Sequence, residues 1–502
     1  MNTILKYCML AFCAGTLFSC SKDLGNYEYH EINKVTFSGL DTIAGYTAYF
    51  GDSVIIAPNV EETIKSNTPA SQYRYEWSFD LDNNQTPDSI ISTSKVLRIK
   101  VGVAPGSYGL QYRVKDLNTG VQRHIKTTLR VVTEVYEGFM VLNDVNGKSR
   151  LDMLSYSKAQ NSFTQFTDVL TKMGSHLPEQ GKPLQVFCTE TALSSGGNVD
   201  AYHIYLLSET GTNRIHSETF DYLPTYNIRY EMIGALPANF KPQLIVGGVQ
   251  FIFMNLFMVA NDNLYIRAYI SSSAWPYVPV NTYSAGQAPF PVAPFVATNG
   301  IATVMYNKSA RRFVISSSNT SVTMSNVPDA SNYPTGNDML YMERNYSGNA
   351  HAVLKNPVTS KISILRFTVG GAALYYDEIM GTDIDKATHY AVSPDLGYLF
   401  YSVGGKVYEY DLSLKTSKLM VDKGTGEITY LAFQNFYNRN IAAYANFAKQ
   451  LTVGSFNSAG VAASSGTLER YTVPPVNGDL VLVDRRTGFG KITSVSYRER
   501  TR

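Results

Sequence analysis

Tyr390-Ala391-Val392, Tyr398-Leu399-Phe400-Tyr401 and Lys406-Val407-Tyr408-Glu409-Tyr410-Asp411 follow one another with only Ser393-Pro394-Asp395-Leu396-Gly397 and a second turn at Gly404-Gly405 to separate them. β-Branched and aromatic runs bounded by Gly, Pro and Asp read as strands joined by tight hairpins. Three in a row make an antiparallel meander. One meander cannot bury its own faces, so the fold depends on what repeats around it.

Similar strand–turn–strand units run from residue 134 to 502, with no clean helical period among them. Their apolar centres fall at Leu142, Tyr205, Leu256, Val304, Val353, Phe400 and Ala442, 42 to 63 residues apart. A period of about 40–50 residues holding several strands marks propeller blades. The spacing predicts a β-propeller of seven blades over 134–502. Eight is the alternative if Leu480-Val481-Leu482-Val483 opens another blade, and two β-sandwiches are the competing architecture. The stretch Ile492-Thr493-Ser494-Val495-Ser496-Tyr497 is expected to pair into the first blade, which opens at Val135–Leu142, because a closed ring has no bare edge.

Residues 36–133 read as a separate immunoglobulin-like β-sandwich, so the fold class is all-β throughout. Its strands are expected at Val54–Ala57, Tyr73–Phe79, Val96–Val101, Tyr108–Val114 and Ile125–Val132. Asp80, Asp82 and Asn84 have the spacing of a calcium loop. Gln85 and Ile91 stand where such a loop needs Gly and Glu, and a turn rich in Asp and Asn needs no ion.

The chain has 43 basic and 41 acidic residues, a formal net charge of +2, and no long basic run, which argues against nucleic acid as a partner. Hydrophobic residues make up 44%, enough for a sizeable core and too many for disorder. Met1–Ser19 reads as a secretory signal: Lys6 gives the positive start, and Tyr7–Ala14 is too short an apolar run to span a membrane. Leu17-Phe18-Ser19-Cys20 resembles a lipobox, so residues 20–35 are expected to be a tether carrying lipid on Cys20, with acyl chains as the only membrane contact. Of the four cysteines, Cys8 and Cys13 leave with the signal, which makes Cys188 a lone, buried core thiol.

Cys20-Ser21-Lys22-Asp23-Leu24-Gly25-Asn26-Tyr27, followed by Ile32-Asn33, resembles the mature start of PKD-like surface lipoproteins of Bacteroidetes. The Tyr75-x-Trp77 strand, Gly106-Ser107-Tyr108 and Tyr112–Asp116 with its Asn118-Thr119-Gly120 turn are similar to the core strands of PKD repeats. Asp80–Asn84 replaces the usual Gly-Asp-Gly. The resemblance implies that Lys22 and Asp23 form an export signal to the outer face of the outer membrane. It also implies a SusC/SusD-like TonB-dependent transporter pair and companion lipoproteins as partners in uptake of a peptide or glycan. It covers about the first quarter of the chain and leaves the propeller's ligand open.

Chemistry-bearing motifs are sparse. The seven His show no metal spacing, and there is no Gly-x-Ser-x-Gly, P-loop or dinucleotide fingerprint, so no cofactor or metal is expected and catalysis is not the favoured reading. Asp144, Asp152, Asp262, Glu343 and Asp411 stay open as carboxylates of a propeller glycoside hydrolase or lyase. A purely structural module of the transporter assembly is a third reading. A Pro-rich, aromatic stretch holding Trp275, Tyr277, Tyr283, Phe290 and Phe295 cannot form central strands. It is expected either to bind a ligand or partner or to cap the propeller's own core. Phe433, Phe436, Tyr437 and Arg439 form a second candidate loop, with core packing as its alternative.

Overall fold

The structure is a computed structural model. It describes residues 34–50, 52–63, 72–81, 86–103, 105–158, 160–190, 202–234, 236–237, 239–247, 255–267, 274–318, 321–437 and 441–500. Cys20, Lys22, Asp23, Asp82, Asn84 and Arg439 lie outside these. The chain divides into two compact units, one running to Val101 and including Tyr108–Arg130, the other containing Val131–Arg502.

The first unit is a sandwich of β1 (Val35–Ser38), β2 (Tyr46–Tyr49), β3 (Ser53–Ile56), β4 (Asn59–Glu62), β5 (Tyr73–Asp80), β6 (Ser89–Ser92), β7 (Leu97–Lys100), β8 (Gly106–Asp116) and β9 (Gln122–Val132). A five-stranded sheet, β2-β9-β8-β5-β6, accompanies the pairs β1-β4 and β3-β7. Along β8, Leu110, Tyr112 and Val114 are buried, the alternation a half-buried strand dictates. Trp77 stands opposite Tyr112 in the register, their rings 4.4 Å apart, and its indole N–H donates to the Ser94 carbonyl at 3.1 Å. That bond lets a large ring be fully buried without an orphaned donor. The Asp116 carboxylate closes the next turn, accepting from Gln72 Nε2 (3.0 Å) and the Asn118 amide (2.8 Å), which holds its pKa below the usual carboxylate range.

The second unit is a propeller whose described residues form seven blade sheets and one further two-stranded pair. Blade 1 contains β10 (Gly138–Val145), β11 (Lys148–Ser157) and β12 (Ser162–Phe166), followed by a single-turn helix α1 (Val169–Lys172). Blade 2 is β13 (Pro183–Glu190), β14 (Tyr202–Ser208) and β15 (Gly211–Ile215). After β16 (Met232–Ile233), blade 3 holds β17 (Pro242–Gly247), β18 (Leu256–Ala260) and β19 (Asn263–Arg267), followed by β20 (Trp275–Pro276). Blade 4 is β21 (Ala297–Thr298), β22 (Thr303–Asn307), β23 (Arg312–Ser316) and β24 (Ser325–Asn326). Blade 5 is β25 (Asp338–Arg344), β26 (Ala350–Lys355), β27 (Ile362–Phe367) and β28 (Ala373–Glu378). Blade 6 is β29 (His389–Val392), β30 (Tyr398–Val403), β31 (Lys406–Asp411) and β32 (Thr416–Asp422). Blade 7 is β33 (Glu427–Phe433), a helix α2 (Ala442–Ala448), β34 (Gln450–Phe456), β35 (Gly466–Thr472) and β36 (Val481–Phe489). Finally β37 (Lys491–Arg498) returns to blade 1, giving the order β12-β11-β10-β37.

The ring thus closes as expected, with Phe139 opposite Tyr497 and Val141 opposite Val495. Leu480–Val483 does not open an eighth blade: Val481–Phe489 pairs with β35 as the outer strand of blade 7. The seventh marked centre, Ala442, lies in α2 and not in a strand. This helix is inserted between the first and second strands of its blade and packs Tyr444 and Phe447 into the core around Phe139 and Tyr497.

Among the described residues blades 2 and 3 show three strands each. At blade 3 the Pro-rich stretch bonds to β19. The Val280 amide donates to Leu264 O (2.9 Å), the Leu264 amide to Asn281 Oδ1 (3.0 Å), and Asn281, fully buried, ties back to Asn263 and Phe290. Asn281→Ala should cost about 1–3 kcal/mol in urea denaturation, because the Leu264 amide would stay buried without its acceptor.

Candidate functional site

Inner strands of a propeller leave one edge without a ladder neighbour, and their amides must be satisfied by other groups. Between β13 and β37 hydroxyls do this: the Val186 and Cys188 amides donate to Ser494 Oγ (3.2 Å) and Ser496 Oγ (3.1 Å). Between β13 and β17 the Gln185 carboxamide does it, donating to Ile245 O (2.9 Å) and accepting from the Ile245 amide (2.8 Å). These links hold the inner strands apart at fixed spacing.

Toward the carboxyl ends of β13, β17, β21, β25, β33 and β37 the strands enclose a partly open cavity of about 390 Å³. Its wall is mostly apolar and includes the rings of Phe187, Phe295, Tyr341, Tyr430, Phe433, Tyr437 and Tyr497. Gln185, Gln434, Asn435, Glu343 and Arg344 supply its polar groups. Tyr430 donates to Val495 O (3.2 Å) and accepts from Gln434 Nε2 (2.7 Å), which fixes two of these side chains. The Tyr437 amide donates to Glu499 Oε1 at 2.7 Å, and its ring reaches across to β17. There a Cβ on Gly247 would sit 2.7 Å from the Tyr437 hydroxyl and 3.3 Å from Phe187 Cζ, so this glycine makes the room.

Glu343 is the carboxylate of this wall. It accepts from the Tyr341 hydroxyl and from Asn435 Nδ2 (2.8 Å), and burial raises its pKa. Cys188, also in the wall, is buried and its thiol is pushed up to about 12 by desolvation. The thiol is the nucleophile only as thiolate. Cys188 should therefore resist a thiol reagent at pH 8 in the folded protein and react once the chain is denatured, as peptide mapping can show.

The first aromatic stretch divides. Trp275 is fully buried in the core beside Met232 and Met258, with β20 paired in parallel to β16, so it follows the core-capping alternative and presents no ring to a ligand. Tyr277 is exposed and lies over Gly234. Tyr283 and Phe290 pack on each other at 4.8 Å, away from the cavity wall, and Phe295 alone of the five lines it. Of the second set, Phe433 and Tyr437 line the cavity, while Phe436 is core against Tyr444 and Tyr497.

Among the acids, Asp144 and Asp411 cap their own turns, accepting from the Gly147 amide (2.7 Å) and the Ser413 amide (2.8 Å). Asp262 pairs with Lys308 at 2.8 Å, and Asp152 is buried in a bidentate bond with Arg150 (2.9 and 2.7 Å). Only Glu343 of these reaches the cavity. Sequence reasoning did not single out Phe187, Tyr341, Tyr430 or Asn435, which come from strands far apart in the chain. Among the described residues no cluster of three or more His, Cys, Asp or Glu could hold a metal ion, and no helix is long and apolar enough to cross a membrane.

No curated protein matches the chain in sequence. Solved structures that resemble it include a quinonprotein alcohol dehydrogenase-like protein of Bacteroides thetaiotaomicron (11% identity, 90% of this chain and 96% of that chain, TM-score 0.44). Others are an extracellular domain, assigned to a one-component system of the same organism (10%, 60% and 35%, 0.34), and YCF48 bound to D1 peptide (10%, 68% and 95%, 0.37). At these scores the likeness says nothing about ligand or activity. The model of the PKD-like family matches residues 20–183, about a third of the chain, spanning the sandwich and the strands of the first blade.

Proposed function

We propose that this protein is a surface-exposed outer-membrane lipoprotein, anchored through Cys20, whose propeller captures a peptide or glycan as an accessory component of a SusC/SusD-like TonB-dependent uptake complex. The observation that carries the binding half is the central cavity. Concave, aromatic-lined sites with a few placed polar groups are the usual form of a small-molecule site. The anchoring half is supported by the lipobox-like start and by the PKD-like match that begins at Cys20.

Binding is preferred to glycoside hydrolysis because both stereochemical routes use a pair of carboxyl groups. Among the described residues the cavity wall offers Glu343 and no second acid. The test is a screen of peptides and glycans against the full chain by thermal shift and calorimetry. One ligand class should stabilise the protein, by about 2.7 kcal/mol at a hundredfold excess over Kd. No binding by either class to a folded propeller would overturn ligand capture. Acyl groups on Cys20 by mass spectrometry, surface shaving by protease, and co-purification with the transporter pair in mild detergent test the rest.

A further inference from the structure

Glu343 has no counter-ion among the described residues. Among the described residues the partners of Glu343 are two neutral donors, the Tyr341 hydroxyl and Asn435 Nδ2. A carboxylate offers about four lone-pair positions, so two donors leave acceptor capacity unused. Among the described residues no ion pair reaches it. Its neighbour in the strand, Arg344, also lines the cavity, but its guanidinium lies against Gly348, 3.1 Å from where a Cβ there would stand, and forms no ion pair with Glu343.

An anion removed from water without a counter-ion is costly, and among the described residues no cation pairs with this one. Opposite Glu343 in the register stands His351, which burial keeps neutral; Tyr341 is bonded to the carboxylate, and the Phe295 ring meets Tyr341 edge-on at 6.4 Å. Ring faces attract a desolvated cation and do nothing for an anion. A carboxylate without a counter-ion in a cavity of about 390 Å³ that aromatic rings also line is therefore matched to a small positive group. A neutral hydroxyl ligand would leave the charge standing, and an acidic one would be repelled.

We propose that the cavity receives the primary ammonium group of its ligand, held by Glu343 and flanked by Phe295 and Tyr341. This rests on the ligand-capture reading above and narrows it. The ammonium can come from a peptide amino end or from an amino sugar, and the two sources are separable.

Calorimetry on the full chain with trialanine amide and N-acetyl-trialanine amide forms one pair of probes; glucosamine and N-acetylglucosamine form the other. In at least one pair the free amine should bind at least tenfold more tightly than its acetylated form. Glu343→Gln should remove that preference while circular dichroism stays unchanged. The wild-type comparison needs no variant, so misfolding of Glu343→Gln cannot obscure the result. If acetylated and free forms bind equally, or if the acetylated form binds better, the ammonium assignment falls and ligand capture stands. If none of the four probes binds, the ammonium assignment also falls, and the wider peptide and glycan screen decides whether capture falls with it.

Discussion

Replacing Arg498 with Ala lowers the stability of the propeller by about 3–5 kcal/mol, the result expected when one member of a buried charge network is removed. Arg498 is fully buried on β37 and donates to Val135 O at 2.5 Å and to the Ser217 carbonyl. Its guanidinium lies 3.6 Å from Glu218 and 4.9 Å from the centre of the Phe220 ring. The side chain therefore ties the closing strand to the segment that enters blade 1 and to the turn beyond β15. Its loss leaves the Val135 carbonyl without this donor and Glu218 with Arg500 alone. Arg498→Lys should recover only part of the loss, because one ammonium cannot reproduce a planar fork aimed at two carbonyls. The measurement is the urea midpoint of the propeller transition; a loss below about 1 kcal/mol would show that the strand holds by packing alone.

The second large effect depends on pH. Glu409 on β31 is buried, and one of its carboxylate oxygens has no partner. Lys418, opposite it in the register, turns away to Asp479 (2.7 Å) and Asn477 O (2.8 Å). Desolvation accordingly lifts the Glu409 carboxyl from 4.5 to about 7. Between those values the folded state keeps a proton that the unfolded chain releases, so the associated stability is full below pH 4.5 and is lost as pH rises through 7. Two and a half units correspond to about 3 kcal/mol. Glu409→Gln should match the wild type near pH 4 and exceed it by about that amount at pH 8. Thermal denaturation at the two pH values reads this directly, and an equal gain at both would mean that packing, not ionisation, is responsible.

His351 has the opposite sign. Buried, with Arg366 opposite it in the register, its ring is pushed down to about 3, first by desolvation. The unfolded chain takes up a proton below 6.5 that the folded state refuses, so stability falls as pH falls from 6.5 toward 3. His351→Gln should therefore gain on the wild type only in acid, in the same thermal series.

The repeat was legible because blades are local. Tyr205, Leu256, Val304, Val353 and Phe400 all fall on the second strand of their blades, where all but the end residues are buried and the apolar signal is densest. Ala442 slipped because the inserted helix carries an apolar run of its own, while the equivalent strand lies further on at Gln450–Phe456. In the sandwich the long strands β5, β8 and β9 were readable, and among the four-residue strands the β-branched and aliphatic runs at β3 and β7 were too, whereas β1, β2, β4 and β6 went unmarked. The cavity was mostly hidden. Glu343 shows in sequence only as a polar residue near a turn, and the rings around it come from its own strand and from four others or their flanks. Trp275 misleads because the prolines around it look like an exposed loop, while the indole itself fills the space between β16 and β18.

Tyr497 and its partner Glu137 lie 360 residues apart, and the strand that carries Tyr497 is the one that shuts the ring. A chain emerging from a ribosome or an export channel therefore builds blade after blade with β10 still lacking its neighbour. Loop-closure entropy over such a span makes the final docking slow relative to each hairpin. A stop codon between blade 7 and Lys491 releases a horseshoe with two bare edges and not a smaller ring, a product prone to aggregation or proteolysis. Quality control during secretion then has a single late checkpoint: whether the tail has found the head.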